Sequence, residues 1–297
     1  MTVSVLERSP STLSVFSRAF LTMAKRGRKP VLPELSLVLE RARTDRAQLA
    51  AYNEVCGFAS GAHVPVLWPH MLAFPLRMAL MSDARFPFPL PGLVHIKNRT
   101  YQWRGISADD VLRLECSLGS TQPHEKGVTF TLISEAKIGG ERVWRDESTL
   151  LHRSRTGTGA AARDDEDQPV ESSQDQVAWS LAEDLGRRYA RASGDWNPIH
   201  LHPLSARAFG FKRAIAHGMW SAAHGLAALP GYDPSGPLTY SAWFKLPVFL
   251  PSQVVYRRER VARVGQVAEG ARFEVRDNAG QKPHVRGLLV PGVPSLA

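Results

Sequence analysis

Cysteine is nearly absent: Cys56 and Cys116 are the only two in 297 residues, each within an apolar segment, with no C-x-x-C and no His/Cys spacing. That excludes a disulfide framework and a structural zinc site, and it points to a reducing, cytoplasmic setting. Long hydrophobic runs are missing too. No window approaches 18 apolar residues, and the first ten residues carry Glu7 and Arg8 without a continuous apolar stretch, so neither a membrane-spanning helix nor a secretory leader is expected. Negative charge is in deficit. Thirty-seven Lys and Arg against 28 Asp and Glu give a net charge of +9, which favours anionic partners: nucleic acid, phosphate-bearing small molecules, acidic proteins or anionic membrane surfaces. Nucleic acid is disfavoured, because the basic residues are scattered and no known nucleic-acid motif accompanies them.

What remains, with 43 % hydrophobic residues and seven tryptophans, is an ordinary globular composition. Residues 154–176 hold no large apolar side chain except Val170 and read as a flexible linker. The linker separates residues 31–153 from 177–297. Residues 1–30 form a basic extension in which Leu13, Val15, Phe16, Phe20 and Leu21 precede the cluster Lys25-Arg-Gly-Arg-Lys29. That segment reads as a helix packed on its own domain, with a surface helix for a membrane or a carrier protein as the alternative.

The two halves repeat one another weakly. Tyr52-Asn-Glu-Val-Cys-Gly-Phe58 and Tyr189-Ala-Arg-Ala-Ser-Gly-Asp195 share the form Y-x-x-x-[C/S]-G-x. Each follows a capping signal, Asp45-x-x-Gln48 and Ser180-x-x-Glu183, which predicts a short helix stopping at the glycine. Next comes an apolar run opened by a histidine, His70 to Met81 and His217 to Leu229, each expected to be a buried helix. Pro75 is expected to kink the first or delay its start, and Pro230-Gly231 to end the second. Strand periodicity follows at residues 94–104, 111–118, 128–138 and 143–152, with Gly139-Gly140 as a hairpin signal, and again at 238–246, 253–263, 271–275 and 284–290. Each half is therefore an α+β layer of one buried helix and a meandering antiparallel sheet.

The chemistry gathers after the second tyrosine. In Ser193-Gly-Asp-Trp-Asn-Pro-Ile-His200 the acid and the imidazole lie beyond a helix-ending glycine, with Pro198 barring further helix. A carboxylate and an imidazole in one loop can hold a water and divide acid and base work between them. Asn197 suits a turn that bonds its own backbone. Gly218, in Ala216-His-Gly-Met219, is placed at the start of the buried helix, where unpaired amides meet developing negative charge. Other readings stay open: Asp195 and Asn197 as plain helix-terminal residues, His200 as structural, His200, His202 and His217 as metal ligands lacking carboxylate-rich or cysteine company, and His224 as a satisfied core histidine.

The run Y-A-x-x-S-G-D-x-N-P-I-H from Tyr189 to His200, with Ala208, Gly210, Phe211 and Ile215-Ala-His-Gly-Met219 in step, resembles the MaoC-type (R)-specific enoyl-thioester hydratases. The resemblance implies a double hot-dog fold, in which the second half is catalytic and the first a degenerate partner with Phe58 where the acid would stand. It implies that Asp195 and His200 activate the water exchanged at C3 of a trans-2-enoyl thioester, with Gly218 N–H polarising the thioester carbonyl and Asn197, Ser193 and His217 in support. No metal or other cofactor is implied. The partner is an acyl thioester of coenzyme A or of an acyl carrier protein, with Lys212 and Arg213 as candidate phosphate contacts and a homodimer of the chain as a further expectation. A hot-dog thioesterase and a non-catalytic acyl-thioester-binding subunit are the alternatives.

Overall fold

The structure, a computed structural model, describes residues 2–11, 22, 31–154, 159, 164–171, 175–262 and 269–295. The basic cluster at Lys25–Lys29 and the apolar residues before it lie outside the described residues. In chain order the elements are β1 Thr2–Leu6, β2 Leu35–Ala42, α1 Arg46–Cys56, α2 Trp68–Ser82, β3 Leu93–Gln102, β4 Leu112–His124, β5 Gly127–Ile138, β6 Glu141–Arg153, β7 Gln176–Leu181, α3 Leu185–Ser193, α4 Pro203–Ala208, α5 Gly218–Ala227, β8 Leu238–Phe244, β9 Ser252–Val261, β10 Gly270–Asp277 and β11 Pro283–Pro291. The strands expected from periodicity are β3 to β6 and β8 to β11, whereas β1, β2 and β7 add to them. The chain forms two compact units: residues 1–44, 68–98 and 109–163, and residues 45–67, 99–108 and 164–297.

In the first unit the strands run in the order β1-β2-β4-β5-β6 followed by β3 as far as Asn98, antiparallel from β2 to β6 and parallel between β1 and β2. Gly139 and Gly140, at φ 59° and 89°, close the β5–β6 hairpin, a turn whose central residues both need positive φ. Helix α2 packs on β2, β4 and β5. It starts at Trp68 and runs through Pro75, contrary to the expected delay. Burial of most of its side chains, Trp68 and Leu76 completely, outweighs a proline cost of about 3 kcal/mol. Beneath α2 lies a closed polar network. His70 Nδ1 is 3.2 Å from Asp146 Oδ1, and the Arg77 guanidinium contacts the same imidazole and donates to Ser148 Oγ at 2.7 Å. Ser148 Oγ donates to Asp146 at 3.0 Å, and Asn98 Nδ2 donates to both. Asp146 and Ser148 occupy alternate inward positions of β6, and all five residues are buried.

In the second unit the order is β8-β11-β10-β9-β7, antiparallel throughout, with α5 against β10 and β11. Tyr240 and Tyr256 tie α5 to the sheet by donating to the carbonyls of Ala222 and Gly225 at 2.8 and 3.0 Å. Phe273 fills the contact, and a Cβ at Gly225 or Gly287 would fall 2.1 Å from its ring. Each unit is thus a hot-dog arrangement of one buried helix on an antiparallel sheet, α+β as expected.

The units do not follow the sequence halves. Helix α1, capped by Asp45 accepting from Gln48 N and ended by Gly57 at φ 81°, belongs to the second unit. It buries Tyr52 near Tyr189 of α3, while Gln48 donates to Ala192 O at 2.9 Å. The linker also differs from its expectation over residues 164–170. Asp164 accepts from Trp243 Nε1 at 2.8 Å, Asp167 pairs with Lys245 and Arg286, Glu166 pairs with Arg99, and Val170 is buried. Its one large apolar residue and its acids find partners that the local composition does not reveal. Both cysteines are free and buried, and burial pushes the Cys116 thiol up to about 11.

Candidate active site

Helix α3 ends at Gly194, whose φ of 79° is left-handed and suits a glycine cap. Its start differs from the expected Ser180-x-x-Glu183 box: Ser180 pairs with Gln253 in the β7–β9 ladder, so the N-cap falls to Asp184, without a side-chain bond. The loop after Gly194 is tied by its own side chains. Ser193 Oγ accepts from Asp195 N at 3.2 Å, Asp195 Oδ1 from Asn197 N at 3.1 Å, and Asn197 Oδ1 from Ile199 N at 3.4 Å. The last of these caps the single 3₁₀ turn Pro198–His200. The loop is therefore a capped helix end, and it carries Asp195 and His200 on the residues beyond the cap.

His200 is 8 % exposed, and its Nδ1 lies 2.8 Å from Ile215 O. A carbonyl only accepts, so Nδ1 carries the proton and Nε2 keeps its lone pair for the site. Ile215 is held in turn, by its N–H to Ile199 O and by a bridge to Phe249. Helix α3 approaches from the other side, where a Cβ on Gly186 would lie 1.8 Å from the His200 carbonyl oxygen. His217 is the N-cap of α5, with its ring stacked on His200 at 3.7 Å between centroids. Its Nε2 donates to Asp195 O at 3.0 Å and lies 3.9 Å from Asp195 Oδ2. Burial holds the His200 pKa below the ordinary imidazole value against the pull of Asp195. Burial, then the neighbouring His200, holds His217 much lower.

Ligating atoms of Asp195, His200 and His217 lie within 4.8 Å of one another. A hydrogen-bonded water spans such a gap. A shared metal ion suits it poorly, because the two rings are tilted by only 26° and lone pairs in nearly parallel planes do not converge on one point. Gly218 is the first residue of α5, so its N–H is one of those a helix leaves unpaired at its positive end. A Cβ there would press on the Phe244 ring at 3.0 Å. The second unit therefore brings together a carboxylate, an imidazole with an available lone pair, and a helix N-terminus.

The remaining expected residues lie apart from this cluster. His202 caps α4 by accepting from Leu204 N, and His224 donates to Cys56 O at 2.8 Å between Trp179 and Trp220. Lys212 is exposed, and Arg213 bonds Pro251 O at 3.3 Å with its guanidinium over Phe249. Gly186 and Phe244 shape the site without having been foreseen, and Ile215, quoted only as part of the motif, holds His200 through its carbonyl. For Gly186 the available signal was a glycine in the first turn of a helix, where a side chain would ordinarily be favoured.

A family model described as "MaoC like domain" matches residues 164–281. The chain is 32 % identical to 3-hydroxyacyl-thioester dehydratase X of Mycobacterium tuberculosis over 221 residues, 74 % of this chain and 79 % of that one. It is 42 % identical to the (R)-specific enoyl-CoA hydratase of Aeromonas caviae over 78 residues, 25 % of this chain and 58 % of that one. The crystal structure of HtdX from Mycobacterium tuberculosis matches with a TM-score of 0.71 at 28 % identity, covering 86 % of this chain and 99 % of that chain.

Proposed function

Because the chain belongs to the MaoC-like domain family, we propose that it is a hydro-lyase of fatty-acid metabolism, adding water reversibly to trans-2-enoyl thioesters to give (R)-3-hydroxyacyl thioesters. The convergence of Asp195 and His200 next to the start of α5 carries this reading. A water held between Asp195 Oδ2 and His200 Nε2 loses a proton to the pair as its oxygen bonds C3. The pair returns one proton to C2, so the sum is the addition of H and OH across the double bond. Charge that develops on the thioester oxygen meets Gly218 N–H at the positive end of α5. The lowered pKa of His200 suits this role, since it enters neutral, as an acceptor, at neutral pH. The 42 % identity to an (R)-specific enoyl-CoA hydratase over 78 residues supports the same assignment.

The carrier is coenzyme A or an acyl carrier protein, both acidic partners for a chain of net charge +9. Lys212 and Arg213 are proposed contacts for their phosphates. Among the described residues no helix is long and apolar enough to cross a membrane.

The test is loss of the conjugated enoyl-thioester absorbance on adding protein to a ladder of enoyl chain lengths on both carriers. Turnover is expected, and Asp195→Asn should lower it by about 10³-fold or more without changing the circular dichroism spectrum. No absorbance change on any substrate would overturn the reading. Thiol release without consumption of the double bond would point to a thioesterase, and calorimetric binding without turnover to a binding subunit.

A further inference from the structure

We propose that His217 is a positioning residue for this reaction, an imidazole that stays neutral and fastens the acid–base loop to the helix that supplies the oxyanion donor. The inference rests on the roles given above to Asp195 and His200. The loop satisfies the N–H groups of Asp195, Asn197 and Ile199 with its own side chains. The carbonyl of Asp195 is different, because its partner comes from outside the loop, from His217 Nε2 at 3.0 Å. His217 directly precedes Gly218 in the chain. Together with the bonds of Ile199 and His200 to Ile215, this hydrogen bond sets the separation between the Asp195 carboxylate and the Gly218 N–H, the two parts that must grip different atoms of the reacting thioester.

The ring does a second thing. Stacked 3.7 Å from His200, it covers one face of that imidazole and keeps water from it. Three features keep His217 uncharged while His200 gains and loses a proton: it is 2 % exposed, it sits at the positive end of α5, and a second charge would lie against His200. The titratable groups facing it are Asp195 and His200 from the loop and its 3₁₀ turn, and Tyr189 from α3 at 4.7 Å. Its tautomer follows from the carbonyl it serves, with the proton on Nε2, while Nδ1 is buried without a hydrogen-bond partner. An imidazole whose one N–H is committed to the main chain has no proton to deliver to substrate, which separates its task from that of His200.

The two tasks come apart by substitution. His217→Gln keeps an N–H donor of similar reach and loses the ring, whereas His217→Phe keeps the ring and loses the donor. For the full-length protein, kcat, KM, the pH dependence of kcat/KM and thermal unfolding are measured for both, with Asp195→Asn as reference. His217→Phe is expected to lose about 10²-fold in kcat with KM changed less than about threefold, the signature of a misplaced group. His217→Gln is expected within about tenfold of the parent, with the acid limb of its pH profile moved upward as water reaches His200. A His217→Phe variant at parental kcat would overturn the proposal. So would a His217→Gln variant that has lost the acid limb, since His217 would then be the titrating group, or one with no turnover although folded. If His217→Phe does not fold, the His217→Gln profile decides alone. Turnover retained in Asp195→Asn would remove the underlying reading, an outcome separable from these because it does not involve His217.

Discussion

Two turns in this chain share a left-handed glycine stop and differ in chemistry. Helices α1 and α3 each carry a buried tyrosine and end at a glycine of almost equal φ, 81° at Gly57 and 79° at Gly194. The residue that follows is Phe58 in one, stacked 6.0 Å from Tyr52 and tilted 5.6 Å from Tyr232, and Asp195 in the other. The histidines of the next helices diverge in the same way. His70 meets Asp146 and Arg77 in a closed buried network, whereas His217 meets the Asp195 carbonyl and the face of His200. The same glycine stop is thus followed by a carboxylate in one turn and an aromatic ring in the other, and His70 takes its carboxylate from Asp146 of β6.

That contrast can be broken first at Asp146. Removing it leaves Arg77 as a buried cation without its counter-charge, so Asp146→Ala should cost about 3–5 kcal/mol in chemical denaturation. A loss below about 1 kcal/mol would show that the network is dispensable. Phe58→Ala comes next, at about 3 kcal/mol for an aromatic cavity. Phe58→Asp should destabilise as well and add no turnover, because His63, five residues on, lacks the preceding Asn-Pro turn and sits instead at a bridge to Ser107 with its ring against Gly105. Titration with a tight-binding thioester analogue should therefore find one site per chain in both proteins, and two sites in Phe58→Asp would end the comparison.

The smallest effect is the pH dependence. Burial lowers the pKa of His70, and burial with the charge of Arg77 pushes His95 down to about 3. The folded state then refuses protons that the unfolded chain accepts below about pH 6.5, so stability falls as pH falls, by about 1.4 kcal/mol per pH unit for His95. Asp146, held below the usual carboxylate range, keeps its contribution until the pH drops below about 4. His95→Gln should flatten the slope of unfolding free energy between pH 6.5 and 5 by about one histidine's share, and an unchanged slope would contradict this.

Local chemistry made much of this legible. Asp45 with Gln48, the glycine stops, the Gly139-Gly140 hairpin and the S-G-D-W-N-P-I-H loop are set by residues near one another in sequence, and each appears where its sequence places it. Ser180-x-x-Glu183 had the pattern of a cap, but strand pairing of β7 with β9 claimed Ser180. The bonds of Asp146 to His70 and Asn98, the stacking of His217 on His200 and the docking of Asp167 on Arg286 join residues between 17 and 119 positions apart, which no short window of sequence brings together. Helix α1 moved to the second unit for the same reason, through the contact of Tyr52 with Tyr189.

Gly186 sets a limit that the chemical residues do not. Its missing Cβ would fall 1.8 Å from the carbonyl oxygen of His200, so even one methyl group must push the 3₁₀ turn away from α3. Variation at Asp195 can be followed by asking which proton transfers survive. At Gly186 any side chain instead changes where His200 stands, which makes this the position in the unit where the least chemical alteration should produce the greatest displacement of the reacting groups.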